Sequence, residues 1–252
     1  MKTIQFALAV LISALFSSAH VSAESVYTGP KEKLHIYLLI GQSNMAGRAA
    51  IPEQDAGPLA NCYLLNAEDF WEVAQNPLNR HSTIRKGLNM QKLNPGYTFA
   101  MTLLEKQPGV SIGLVVNAKG GTKIEEWGKG TKFYNEAIRR AKVAQETGVL
   151  KGILWHQGES NQGNPDGYLE KLQALVGDLR DDLESPELIF VAGQVINVPA
   201  INDQIEMLPG KVPSTAFVSS EGLKGQDRWH FDTESMKKLG ERYAEAVLKL
   251  GR

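Results

Sequence analysis

The sequence predicts a single α/β domain built on a five-stranded parallel sheet, and three observations predict it. Past residue 30, short apolar runs alternate with amphipathic stretches of helical period, the pattern of consecutive βαβ units. The runs are short, rich in branched residues and apolar at consecutive positions rather than alternate ones, as strands covered on both faces must be. The chain has 252 residues and one cysteine, enough length for one domain to bury a full core but no means of forming an intramolecular disulfide.

The five expected strands are residues 34–40, 111–117, 152–155, 188–191 and 215–218. Helical periods fill the gaps between them. One covers 97–106 after the turn Asn94-Pro95-Gly96, and another covers 133–146 and closes at Gly148. A third carries Leu169, Leu172, Leu175, Val176, Leu179 and Leu183 on one face. The last runs from about 233 to 250, with Met236, Leu239, Tyr243, Val247 and Leu250 as its stripe and Asp232 or Thr233 as its cap. Residues 48–94 are poorly periodic and interrupted by Pro52, Pro58 and Pro77, so they read as a long insertion, either a functional loop or disorder, whose role the sequence leaves open. No repeat or linker calls for a second domain.

The first 23 residues read as a signal peptide to be set aside. Lys2 precedes an apolar segment over 6–16, and Val21-Ser22-Ala23 supplies small residues for cleavage near Ala23. The mature chain is then expected to start near Glu24 and to be exported, periplasmic or extracellular. No apolar run of roughly 18 residues occurs elsewhere, so stable membrane insertion after signal removal is not expected. A formal net charge of −1 without a Lys/Arg block gives no footprint for nucleic acid. Cys62, beside an apolar stretch, reads as a buried inert thiol.

Open parallel sheets bind ligands beyond the carboxyl ends of their strands. Ser43 follows the first run, Gly120-Gly121 the second, His156-Gln157-Gly158-Glu159 the third, and Asp227 and His230 the fifth. A serine hydroxyl becomes a useful nucleophile only with an imidazole as base, a carboxylate to orient the imidazole, and donors for the developing oxyanion. Ser43, His230 and Asp227 meet the first three requirements. The Ser43 N–H, a glycine N–H from Gly120-Gly121 and the Gln157 amide meet the fourth. Taken singly, each has an ordinary structural reading: a turn serine, a surface histidine, an aspartate capping the last helix. Their joint placement at strand ends is what points to acyl transfer.

Other chemistries fit less well. No phosphate-cradling glycine motif follows any strand. His156 and Glu159 have i, i+3 spacing, but the chain lacks H-E-x-x-H and any Cys/His cluster, so no metal is assigned. The G-x-S-x-G elbow of α/β-hydrolases is missing its second glycine here, and the serine comes too early. Trp71, Trp127 and Trp229 are candidate faces for sugar rings, while Trp155 belongs to the core.

Four blocks, IGQSNMAGR, NAKGGTKIEEW, ILWHQGESN and GQDRWHFD, resemble in order the SGNH/GDSL hydrolase superfamily, and within it carbohydrate acetylesterases such as sialate O-acetylesterases and acetylxylan esterases. The resemblance implies a three-layer, flavodoxin-like α/β/α fold. It also implies Ser43 as nucleophile, His230 as general base and acid, and Asp227 as its carboxylate, with Gln157 taking the oxyanion place that asparagine fills in most of the superfamily. Glu159 is open to two roles, assisting or replacing Asp227, or bracing the Ser43 loop, with Asp227 favoured for the triad. Gly121 is favoured over Gly120 as the glycine donor. Asn161 departs from the family's common Asp. The implied activity is removal of acetyl groups from a carbohydrate without a cofactor. The same site on longer acyl esters or thioesters, and a glycan-binding module without turnover, are the alternatives. These residues separate neither the sugars nor the oligomeric states.

Overall fold

The computed structural model describes residues 26–85, 87 and 89–251; the expected signal segment and its cleavage point lie outside them. Seven strands form one sheet: β1 (Leu34–Gly41), β2 (Pro58–Leu65), β3 (Trp71–Gln75), β4 (Ser111–Ala118), β5 (Val149–His156), β6 (Ile189–Gly193) and β7 (Thr215–Val218). Their order is β3-β2-β4-β1-β5-β6-β7, parallel throughout except for the antiparallel pair of β2 and β3. The helices are α1 (Ser43–Ala46), α2 (Gly96–Lys106), α3 (Lys132–Thr147), α4 (Tyr168–Asp182), α5 (Pro199–Met207) and α6 (Thr233–Leu250).

Side-chain alternation along β1 divides the core into two layers. Ile36, Leu38 and Ile40 face the buried stripes of α3 and α4, whereas Tyr37 and Leu39 face those of α2 and α6. Both faces are covered, so the strand reads as an unbroken apolar run. Asp232 caps α6, its carboxylate accepting from the Ser235 N–H at 2.8 Å. Among the described residues no helix is long and apolar enough to cross a membrane.

All five expected strands are present, and three run one residue further at the carboxyl end, to Gly41, Ala118 and His156. Two more strands lie in 48–94, which the periodicity assigns to a loop. The reason is physical: β2 is buried only toward its end, at Cys62, Leu64 and Leu65, it starts on a proline, and Asn61 has φ of 58°. A strand covered over half its length leaves a weak periodic signal. Helices α1 and α5 also had no sequence signal strong enough to mark them.

In their own chain order, the five anticipated strands lie 2-1-3-4-5 across the sheet, the flavodoxin-like arrangement, whose switch point is at β1. The crevice therefore opens above the end of β1. There Gly41 has φ of +135°, and a Cβ on it would stand 2.2 Å from the His156 carbonyl oxygen. The Gln42 N–H donates to that same oxygen at 2.8 Å. A Gly41→Ala variant should lose about 3 kcal/mol of stability from strain and collision, measured by urea unfolding.

Candidate active site

Ser43 begins the one-turn helix α1, which Met45 and Ala46 anchor in the core. His230 arrives on the loop between β7 and α6, which is closed by a Gln226 N–H bond to the His230 carbonyl at 2.9 Å. Asp227 organises this loop. Its Oδ1 accepts from the Trp229 and His230 N–H groups at 2.8 and 2.9 Å, and its Oδ2 lies 2.8 Å from His230 Nδ1. His230 Nε2 is 3.1 Å from Ser43 Oγ. With a carboxylate against Nδ1, that nitrogen carries the proton and Nε2 faces the serine hydroxyl as an acceptor. Desolvation pushes the Asp227 carboxyl up, but hydrogen bonds from the His230 ring and the two amides outweigh it, so the net shift is downward.

The two glycines of the pair sit differently. Gly120 is beside the nucleophile: a Cβ there would lie 3.4 Å from Ser43 Cβ and 3.6 Å from Arg48 Nη2. Gly121 has no neighbour within 4 Å of such a Cβ and instead supplies a φ of +78° that turns the chain. Among the described residues, neither the Ser43 nor the Gly120 N–H has an acceptor. The Gly121 N–H likewise has no acceptor among these residues, so all three amides are available to an oxyanion, with Gly120 the glycine nearer the nucleophile.

Gln157 is a correction to the expectation. Its amide is fully buried, and Nε2 already donates to Gln42 Oε1 at 3.1 Å, Thr122 O at 3.0 Å and Asn161 Oδ1 at 2.8 Å, while Oε1 accepts from the Tyr168 hydroxyl at 3.0 Å. Both amide hydrogens are committed inside the protein, so Gln157 scaffolds the loops instead of facing substrate. Asn161 shares that scaffold, accepting from the Ile124 N–H at 3.0 Å and donating to Glu125 Oε2 at 3.0 Å. Glu159 does not contact the imidazole. It is 4% exposed and accepts from Asn44 Nδ2 at 2.7 Å. Burial pushes its carboxyl up to about 7.

A model of the family described as "Carbohydrate esterase, sialic acid-specific acetylesterase" matches residues 33–249. The chain belongs to this carbohydrate esterase family. It is 31% identical over 237 residues to "Probable carbohydrate esterase At4g34215" of Arabidopsis thaliana, across 84% of this chain and 90% of that protein. The crystal structure of that Arabidopsis thaliana protein superposes with a TM-score of 0.78 at 29% identity, covering 86% of this chain and 98% of the other. The fold is also that of NanS, with a TM-score of 0.70 at 16% identity over 90% of this chain and 99% of NanS.

The rest of this carbohydrate esterase's site is set by residues whose signals were weaker. Trp71 and Trp127 are buried in the core, at 2% and 0% exposure, and present no face to a sugar; Trp155 is core as expected. Only Trp229 of the three candidate platforms is partly accessible, and the Arg228 guanidinium stacks on it at 4.4 Å. His156 is buried against the Tyr243 hydroxyl at 3.1 Å, its ring pushed down to about 3 by burial, and His81 faces Glu72 at 2.9 Å on the surface. Cys62 is buried, and burial raises its thiol.

Arg48 flanks the serine's glycine neighbour, and Arg85 lies near Arg48. Arg48 Nη2 borders Gly120, and the Arg48 charge, second to desolvation, lowers the pKa of Arg85. Arg48 Nε and Arg85 Nη1 are buried nitrogens with no acceptor among the described residues. Asn117, at the end of β4, pins the segment before Arg85 by accepting from the Ser82 hydroxyl at 2.9 Å and the Thr83 N–H at 3.2 Å.

Gln157→Ala distinguishes scaffold from oxyanion donor. Stripping partners from Gln42, Thr122, Asn161 and Tyr168 should lower stability by about 1–3 kcal/mol in a thermal or denaturant melt. A variant of unchanged stability with reduced turnover would assign Gln157 to the oxyanion instead.

Proposed function

We propose that this chain is an exported serine O-acetylesterase acting on an acetylated sugar. The observation that carries the reading is the unbroken line from Ser43 Oγ through His230 to Asp227, with contacts of 3.1 and 2.8 Å. In the first step Ser43 Oγ bonds to the acetyl carbonyl carbon while His230 Nε2 takes the hydroxyl proton. The carbonyl oxygen becomes an oxyanion, to which the Ser43 and Gly120 N–H groups donate. Collapse breaks the ester C–O bond. His230 returns its proton to the departing sugar oxygen, leaving acetyl on Ser43. Water then attacks, again deprotonated by His230; the bond to Ser43 Oγ breaks, His230 returns the proton to that oxygen, and acetate leaves. Asp227 keeps Nδ1 protonated throughout and offsets the imidazolium charge. No step calls on a cofactor. The apolar segment over 6–16 and the small residues at 21–23 support export.

The sugar is an acidic one, in our reading. Arg48 borders the glycine beside the nucleophile and Arg85 lies near Arg48; each has a buried nitrogen with no acceptor among the described residues, and a carboxylate next to the acetylated position would supply those acceptors. The family's description as sialic acid-specific agrees with this chemistry.

Ser43→Ala, assayed by acetate release from O-acetylated sialic acid and from 4-nitrophenyl acetate, should lose roughly 10⁴-fold or more in kcat while staying folded. Binding without turnover in the unaltered protein would support the glycan-binding alternative. The carboxylate is tested by comparing O-acetylated sialic acid with its carboxyl methyl ester. The free acid should be favoured about tenfold in kcat/KM, and Arg85→Met should bring that ratio close to one.

A further inference from the structure

Asn44 follows the nucleophile directly, is fully buried, and uses its whole amide group. Nδ2 donates to Glu159 Oε1 at 2.7 Å and to the Trp229 carbonyl at 3.0 Å, and Oδ1 accepts from the Phe231 N–H at 3.3 Å. The last two contacts grip the backbone on either side of His230. We propose that Asn44 and Glu159 form a positioning brace that holds the general base at its working distance from Ser43, without either residue touching the reacting atoms. The inference goes beyond the esterase reading but rests on it for its kinetic consequences.

The brace has a task that Asp227 does not perform. Asp227 belongs to the His230 loop, so it sets the rotation of the imidazole within that loop. Nothing in that arrangement fixes the loop's distance from α1. Asn44 does, because it is carried by the same short helix as the nucleophile and bonds to residues 229 and 231. The three contacts use two donor hydrogens and an acceptor, which an amide supplies: aspartate would oppose the Glu159 carboxylate and the Trp229 carbonyl, and leucine would leave a carbonyl and an N–H unpaired.

Glu159 settles which way the amide points. A carboxylate accepts only, so it draws Nδ2 and leaves Oδ1 toward the Phe231 N–H. This account also gives a use to a buried acid that contacts no substrate-facing group. Its Oε2 has no partner among the described residues, and desolvation lifts the carboxyl to about 7 against the hydrogen bonds from Asn44 and from the Gly158 and Glu159 amides. Tyr168 and Tyr243 are the titratable groups around it, and burial raises both hydroxyls, leaving them neutral across this range; Asp227 and His230 lie across Asn44 on the braced loop. As Glu159 takes up its proton, the charge-assisted bond to Asn44 becomes a neutral and weaker one.

The test pairs Glu159→Ala with Glu159→Gln, since glutamine keeps an acceptor for Asn44 Nδ2 and alanine does not. Crystal structures of both variants, kcat and KM on 4-nitrophenyl acetate, and the pH profile are measured, with Ser43→Ala as blank. Glu159→Ala should show the His230 loop displaced, the Ser43–His230 hydrogen bond broken, and kcat down by about 10- to 100-fold with KM within about twofold. Glu159→Gln should restore the loop and most of kcat, and its acid limb should lose the contribution near pH 7. The loop displacement reads the brace even if Ser43-dependent turnover is absent, which would sink the esterase reading alone. A His230 loop still in place in Glu159→Ala, or a displaced loop with full kcat, overturns the brace. If Glu159→Ala does not fold, Asn44→Asp carries the same structural prediction, and an undisplaced loop there overturns it.

Discussion

The site depends on one close approach, that of the end of β1 to the end of β5. The His156 carbonyl occupies the space where a side chain at residue 41 would begin, so the strand can exit only through a glycine at positive φ. That exit fixes Gln42, whose N–H bonds the same carbonyl and whose side-chain oxygen accepts from the Gly158 and Ser160 N–H groups at 3.4 and 3.3 Å. Ser43 and Asn44 follow with no freedom to drift. A similar constraint lies behind it: a Cβ on Gly193 would meet the Tyr243 hydroxyl at 2.1 Å, so the His156–Tyr243 pair that supports β5 needs glycine on β6.

Around this contact the protein spends buried polar groups on placement. The Gln157 amide ties together the loops after β1, β4 and β5, and the Asn44 amide ties α1 to the His230 loop. Glu159 has a stability cost. Its folded pKa stands above the ordinary 4.5, so the native state binds the proton more tightly, and stability falls as pH rises through the window from 4.5 to about 7. The Asp227 carboxyl is shifted the other way, and its side chain is 51% exposed, so solvent screening keeps its own contribution to stability small. Its value lies in orienting His230.

The strands and the Ser43, Asp227, His230 set were legible for different reasons. Two-sided burial writes a continuous apolar run into the sequence, so the five central strands stood out, while β2 and β3, covered over only part of their length, did not. The meeting of Ser43, Asp227 and His230 was legible because a parallel sheet places its strand ends together and all three lie just past such ends. Trp71 and Trp127 were misjudged as platforms because an aromatic residue after a turn looks the same in sequence whether it faces solvent or core.

By itself the sequence determined the class of fold and singled out Ser43, His230 and Asp227 as side chains carried to the carboxyl edge of the sheet. These follow from periodicity and residue chemistry, which are local properties. Which glycine borders Ser43, where the Gln157 hydrogens go, and that Glu159 serves Asn44 rather than His230 were decided only by the tertiary structure. Each is a choice among hydrogen-bond partners or neighbours a few ångströms apart but more than 30 residues distant in the chain, such as Gln157 and Thr122 or Asn44 and Glu159. Residue type allows either choice; only the packing of strand ends against one another selects one.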